Sequence, residues 1–209
     1  QAGRFGCTLL EEAEATDGVV MAEAGFRVRA TTLEHVSPVL AYVLEPVREI
    51  NIRKDRLETR GLAPGPWLGE LKRHLQAGED RACIELPDGS SKRVQALADE
   101  LVLISPGKKL AYATDFADTP ENRARVIELV RNSHTLFCES TFCEAESEQA
   151  KRTAHLTTRA CAEIAEAAGV ARLVPFHFSR RYEQNPAAVY AEIAANSRVV
   201  VIPETIVID

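Results

Sequence analysis

The chain has 209 residues, 45% of them hydrophobic, and a formal net charge of −6. That is enough to bury one respectable core, and the acidic balance speaks against indiscriminate nucleic-acid binding while leaving room for a local basic patch. No apolar run approaches a membrane span, no signal-peptide pattern opens the chain, and five cysteines without a Cys-x-x-Cys pair read as reduced thiols of a cytoplasmic protein rather than a disulfide framework.

The chain opens without Met and without a clear strand pattern, as a fragment or processed chain would. Glu11 to Asp17 is acidic and Ala-rich and reads as a solvated helix or loop. From Gly25 the alternation sharpens, with Phe26, Val28 and Ala30 on one face and Arg27 and Arg29 on the other. This predicts a half-buried strand running to Leu33, with His35 just past its end. Val39 to Leu44 is a second apolar run, turned by Ser37-Pro38 and closed by Glu45-Pro46.

Residues 47–95 change character and read as an excursion from the core sheet. Arg48, Arg53, Lys54, Arg56 and Arg60 crowd a short span, followed by Gly61-Leu62-Ala63-Pro64-Gly65-Pro66, which is neither regular helix nor strand. Trp67, Leu68, Leu71 and Leu75 then share one face of a helix that Gly78 would cap. Cys83 to Leu86 with Asp88-Gly89 suggests a small hairpin. The basic run is either a solvated face or a protruding arm that touches phosphates.

Residues 96–209 alternate strand and helix, the signature of an α/β layer. Thr119-Pro120-Glu121 opens a helix with Val126, Ile127 and Val130 as its buried stripe. Cys143 to Thr153 reads as a polar helix, and Thr157 caps another carrying Ala160, Ile164 and Ala167, which puts His155 near a helix N-terminus. Asn185-Pro186 starts a further helix, and Arg198 to Ile202 and Thr205 to Ile208 read as closing strands.

Four strand-like runs end on groups able to bind metal or carry a proton. Phe26–Leu33 leads to His35, Leu110–Thr114 to Asp115, Thr135–Cys138 to Glu139, and Arg172–Phe176 to His177. Open α/β sheets place ligands at the carboxyl ends of their strands. Alone, His177 also reads as a core histidine satisfied by one carbonyl, and Glu139 as a capping or ion-paired acid. Four such ends together read as one assembled site.

The order of short motifs resembles the ribonuclease Z (tRNA 3′ endonuclease) family of the metallo-β-lactamase fold. The matching stretches are Leu33-Glu34-His35-Val36, Gly61 to Trp67, Tyr112-Ala113-Thr114-Asp115, Glu139-Ser140-Thr141-Phe142 with Cys138 in place of the family's histidine, His155-Leu156-Thr157-Thr158, and His177-Phe178-Ser179-Arg180-Arg181-Tyr182. The resemblance implies an α/β fold, the carboxyl-terminal portion of an αββα sandwich, with a protruding arm inserted at about 47–95. It implies two zinc ions, with manganese possible, held by His35 and Asp115 and by Asp115 and His177. Glu139 and His155 would form a proton relay, Arg181 with Ser179 and Tyr182 would meet a phosphate, and Arg53, Lys54, Gly65 and Pro66 would lie on the RNA-binding arm. The implied partner is a tRNA precursor or other RNA, in a cytoplasmic homodimer with no membrane contact. The family's His-x-His-x-Asp-His motif is absent: the five histidines, at 35, 74, 134, 155 and 177, are unpaired. Each zinc would then hold two protein ligands where it takes about four in total. The chain therefore looks like the carboxyl-terminal part of such an enzyme or a relative without metals. A hydrolase of a small phosphodiester or other ester, and a metal-free module binding RNA or protein, are the other readings.

Overall fold

A computed structural model describes residues 14–208. Its principal sheet holds six strands in the order β1 (Val19–Glu23), β2 (Phe26–Leu33), β3 (Val39–Pro46), then β8, β9 and β10 after an excursion. The first three and β8 (Leu110–Ala113) pair antiparallel, whereas β8, β9 (Thr135–Glu139) and β10 (Leu173–Phe176) run parallel. Parallel neighbours need crossovers, and helices supply them. These are α4 (Pro120–Val130) between β8 and β9, and α5 (Ser147–Thr153) with α6 (Thr158–Ala168) between β9 and β10. A last helix, α7 (Pro186–Asn196), packs on α6.

Among the described residues the helices cover one face. Ala41, Val43, Ala111, Ala113, Leu136, Cys138 and Leu173 point into the core beneath α4, α6 and α7. The small residues of α6, among them Ala160, Ala162 and Ala165, let it lie close to the sheet. The caps read from sequence are in place: Thr119 accepts from the Asn122 amide, Thr157 from that of Ala160, and Gly169 closes α6 at φ 63°. On the opposite face Leu40, Tyr42, Leu44, Leu110 and Tyr112 are exposed in adjoining rows, because the registers set Tyr42 beside Tyr112 and Leu44 beside Leu110.

The excursion lies between β3 and β8 and is larger than expected, spanning β4 (Arg48–Ile52) to β7 (Val102–Pro106), which pair as a two-stranded ribbon. It holds α1 (Lys54–Thr59), α2 (Pro66–Ala77), the hairpin β5 (Cys83–Glu85) and β6 (Ser91–Arg93), and α3 (Val94–Leu101). Trp67, Leu71 and Leu75 of α2 meet Leu97 and Leu101 of α3 in a cluster separate from the main core, so the excursion carries its own apolar stabilisation. At its base the backbones touch: a Cβ on Gly107 would meet the Pro46 carbonyl at 2.1 Å.

Some elements differ from expectation. The region before Gly25 does contain a strand, β1; of Glu11 to Asp17, residues 11–13 lie outside the described residues, and the stretch ends in a 3-10 turn at Thr16–Gly18. The polar stretch from Cys143 is a 3-10 turn at Glu144–Glu146 leading into a shorter α5. Arg198 to Ile202 makes one parallel bridge, Val200 against Leu173, and Thr205 to Ile208 forms no strand. The next rung beyond that bridge would need the amide of residue 175 to donate to the Val201 carbonyl, and Pro175 has no N–H.

Candidate active site

The carboxyl ends of β2, β8, β9 and β10 converge with the α5–α6 junction. Asp115 and His177 lie just beyond β8 and β10 at φ 55° and 60°, and Ala154, before His155, at φ 59°. These three are among five non-glycine residues with left-handed backbone in the described chain. Such conformations cost on the order of 1–3 kcal/mol each and persist where the surroundings over-determine them. Here they turn the chain sharply at strand and helix ends, delivering side chains to one place.

The three imidazoles stand in a row. The rings of His35 and His155 are 4.9 Å apart, those of His155 and His177 5.2 Å. Nδ1 of His35 lies 3.0 Å from the Ala154 carbonyl and Nδ1 of His155 3.0 Å from Glu139 Oε2. A carbonyl and a carboxylate only accept, so each Nδ1 carries a proton, and in the neutral ring the lone pair sits on Nε2. His177 Nε2 is 3.5 Å from Asp115 Oδ1. One donor atom each from His35, Asp115 and His155 lie within 4.8 Å of one another, as do those of Glu139, His155 and His177. Imidazole with carboxylate is a donor set that suits zinc, with manganese possible.

Glu139 is fully buried and anchors the group. Its Oε1 accepts from the Phe116 amide at 2.7 Å, and its Oε2 from Thr141 Oγ1 at 2.7 Å, His155 Nδ1 at 3.0 Å and the Leu156 amide at 3.1 Å. The hydrogen bond to Glu139 raises the His155 pKa above its ordinary value, against an opposing effect of burial. Buried Asn122 fixes the backbone beside His35. Its side chain accepts from the Glu34 amide and donates to the Glu34 and Ala117 carbonyls, each at 2.9 Å. That clamps the ends of β2 and β8 to the start of α4.

Of the residues read from sequence, His35, Asp115, Glu139, His155 and His177 are brought together, and His155 stands between the other two imidazoles rather than outside them. Arg181 is engaged elsewhere: it pairs with Glu146, donates to Ser179 Oγ at 3.2 Å and lies over the Phe142 ring. Tyr182 donates to the same Glu146 and accepts from the Cys143 amide. The pairing of Arg181 with Glu146 takes Nη1, and a phosphate would have to share the guanidinium with that carboxylate. Arg53, Lys54, Gly65 and Pro66 sit on the excursion, Arg53 before α1 beside Asp55 and Gly65 before α2. Cys138 and Cys143 join neither donor group. The Cys161 thiol and burial push Cys138 well above the ordinary thiol range, and burial with Glu192 pushes Cys143 up to about 12. Neither is a ready thiolate. Sequence reasoning missed Asn122 and Thr141; a polar residue four positions before Val126, within an apolar helical stripe, is the one signal that pointed to Asn122.

A model of the beta-lactamase superfamily domain matches residues 82–178, a span with Asp115, Glu139, His155 and His177 but not His35. Ribonuclease Z of Deinococcus radiodurans is 36% identical over 158 residues, covering 76% of this chain and 46% of that protein. Ribonuclease Z of Thermobifida fusca is 37% identical over 166 residues, covering 78% and 46%. Among solved structures, human tRNase Z, short form, aligns with a TM-score of 0.45 at 16% identity, over 81% of this chain and 44% of that one. The chain spans about half the length of the curated relatives it matches. No helix among the described residues is long and apolar enough to cross a membrane.

Proposed function

Since the chain belongs to the ribonuclease Z branch of the β-lactamase superfamily and matches the carboxyl-terminal part of its relatives, we propose that it supplies one half of a metal-dependent phosphodiester hydrolase acting on the 3′ side of tRNA precursors. The observation that carries this is the row of three imidazoles beside Asp115, two of them with Nδ1 tied to an acceptor and Nε2 free.

In this reading His35 and Asp115 hold one divalent ion and Asp115 and His177 the other, zinc suiting the donor set best. Bound there, two ions would polarise the phosphodiester, activate a water and offset developing negative charge. The donors among the described residues are too few for two four-coordinate sites, so water or further protein ligands would complete them. A second sheet, as in an αββα sandwich, would cover the exposed apolar rows of Tyr42, Leu44, Leu110 and Tyr112. His155 carries the proton to the leaving oxygen: Glu139 holds the ring by Nδ1 and, by raising its pKa, favours the protonated form. In that relay Glu139 orients the imidazole through its Oε2. The excursion, with Arg53 and Lys54 at the start of α1, is the arm that meets RNA phosphates.

The complete protein with Asp115→Ala should keep its fold and lose cleavage of a precursor tRNA trailer by at least about a thousandfold, since the residue serves both ions and each lost group of this kind costs several kcal/mol of barrier. Near-normal turnover would refute the dinuclear reading. A protein that cleaves a chromogenic phosphodiester but never tRNA would instead make it a small-ester hydrolase.

A further inference from the structure

The hydroxyl of Thr141 lies between two of the gathered side chains. Its Oγ1 is 2.7 Å from Glu139 Oε2 and 3.1 Å from His177 Nδ1. A threonine hydroxyl has one proton, and a carboxylate can only accept. That proton is therefore given to Glu139, and the hydroxyl oxygen is left to accept. Nδ1 of His177 must then be the donor, leaving Nε2, the nitrogen nearer Asp115, with its lone pair. His177 thus reaches the state that His35 and His155 reach through a carbonyl and a carboxylate, but by way of a hydroxyl.

We infer that Thr141 is a positioning residue, which selects the tautomer of His177 and ties that ring to the same carboxylate oxygen that holds His155. Oε2 of Glu139 receives both the Thr141 hydroxyl and His155 Nδ1, so a single buried atom sets the attitude of two imidazoles whose centroids are 5.2 Å apart. The backbone reinforces the link, since the Ser179 amide donates to the Thr141 carbonyl at 3.0 Å and holds the loop after His177 against the loop after β9. Groups of this kind behind a metal-binding histidine change metal affinity by about 10–100-fold. Use of His177 as a ligand rests on the proposed function; the tautomer does not.

The test is long-range proton–nitrogen NMR on the chain labelled with 15N-histidine, with chelator, above pH 8. Wild type and Thr141→Ser should show His177 protonated at Nδ1 and bare at Nε2. Thr141→Val, equal in shape but without an acceptor, should move His177 to a mixture or to the Nε2-protonated form, while His155 keeps its proton at Nδ1. Thr141→Ala replaces it should valine fail to fold. Zinc affinity should fall 10–100-fold in Thr141→Val and be restored in Thr141→Ser. A wild-type His177 protonated at Nε2 would overturn the inference whatever the variants do, as would a valine variant with the wild-type pattern. If cleavage never appears but the tautomers behave as stated, the proposed function fails and this inference stands.

Discussion

Replacing Glu139 by Gln removes one oxygen and the charge while keeping the shape. An amide must place its NH2 toward one set of donors. Oε2 faces three donors and Oε1 one, so the glutamine oxygen takes the Oε2 position and its NH2 confronts the Phe116 amide. A buried donor left unmade costs about 1–3 kcal/mol, and exchanging three charge-assisted bonds for neutral ones forfeits about 1 kcal/mol each. The expected loss is roughly 4–6 kcal/mol, a large fraction of the 5–15 kcal/mol typical of a domain. Urea unfolding followed by far-ultraviolet circular dichroism reads it as a lower midpoint at unchanged slope. Trp67 fluorescence, reporting on the separate core of the excursion, should move less. A loss below about 1 kcal/mol in the dichroism transition would mean that Glu139 does not anchor the site.

The His155 shift gives a pH dependence with a definite sign. Its pKa is raised in the folded state, so its contribution is fully present below the unfolded value of about 6.5 and is lost as pH rises through the folded value; melting with chelator should show a falling slope there that His155→Gln lacks. Asn122→Ala leaves the buried Glu34 amide without a partner, while the Glu34 and Ala117 carbonyls keep the Ala117 and Thr119 amides, and should cost about 1–3 kcal/mol, with the His35 ring resonances losing dispersion while those of His177 keep theirs. Arg53→Ala with Lys54→Ala should weaken tRNA binding by the complete protein, and the deficit should shrink as salt rises, because phosphate contacts act through counterion release; a salt-independent loss would place these residues off the RNA path.

Much of the sheet was legible because its inner strands are amphipathic or wholly apolar and end at Gly, Pro or a charge. Phe26–Leu33 and Leu173–Phe176 are examples, and the caps at Thr119 and Thr157 followed from side-chain chemistry alone. β1 was not legible: as an edge strand with Val20 and Met21 exposed, it lacks the alternation that burial imposes. The run at Arg198–Ile202 misled for the opposite reason, being apolar enough to pack but paired at one bridge. In the site, the strand-end residues could be read because position after a strand is a sequence property. The bonds orienting them could not. Whether Thr141, Asn122 or the Ala154 carbonyl meets an imidazole or a backbone amide depends on how β2, α4, β9, β10 and the α5–α6 junction come together, which contacts across 36 or more residues decide. Arg181 shows the converse: its motif suggested a phosphate, and only packing reveals Glu146 in that place.

The most direct test of the central claim is the zinc content of this isolated chain, wild type and Asp115→Ala, by mass spectrometry after loading and exhaustive dialysis, with a competition titration alongside. The account predicts weak zinc binding that Asp115→Ala abolishes, with fewer than two ions per chain surviving dialysis, because three donors shared between two ions leave each coordination shell open. Two tightly held zinc ions per chain, or binding that Asp115→Ala leaves untouched, would contradict it.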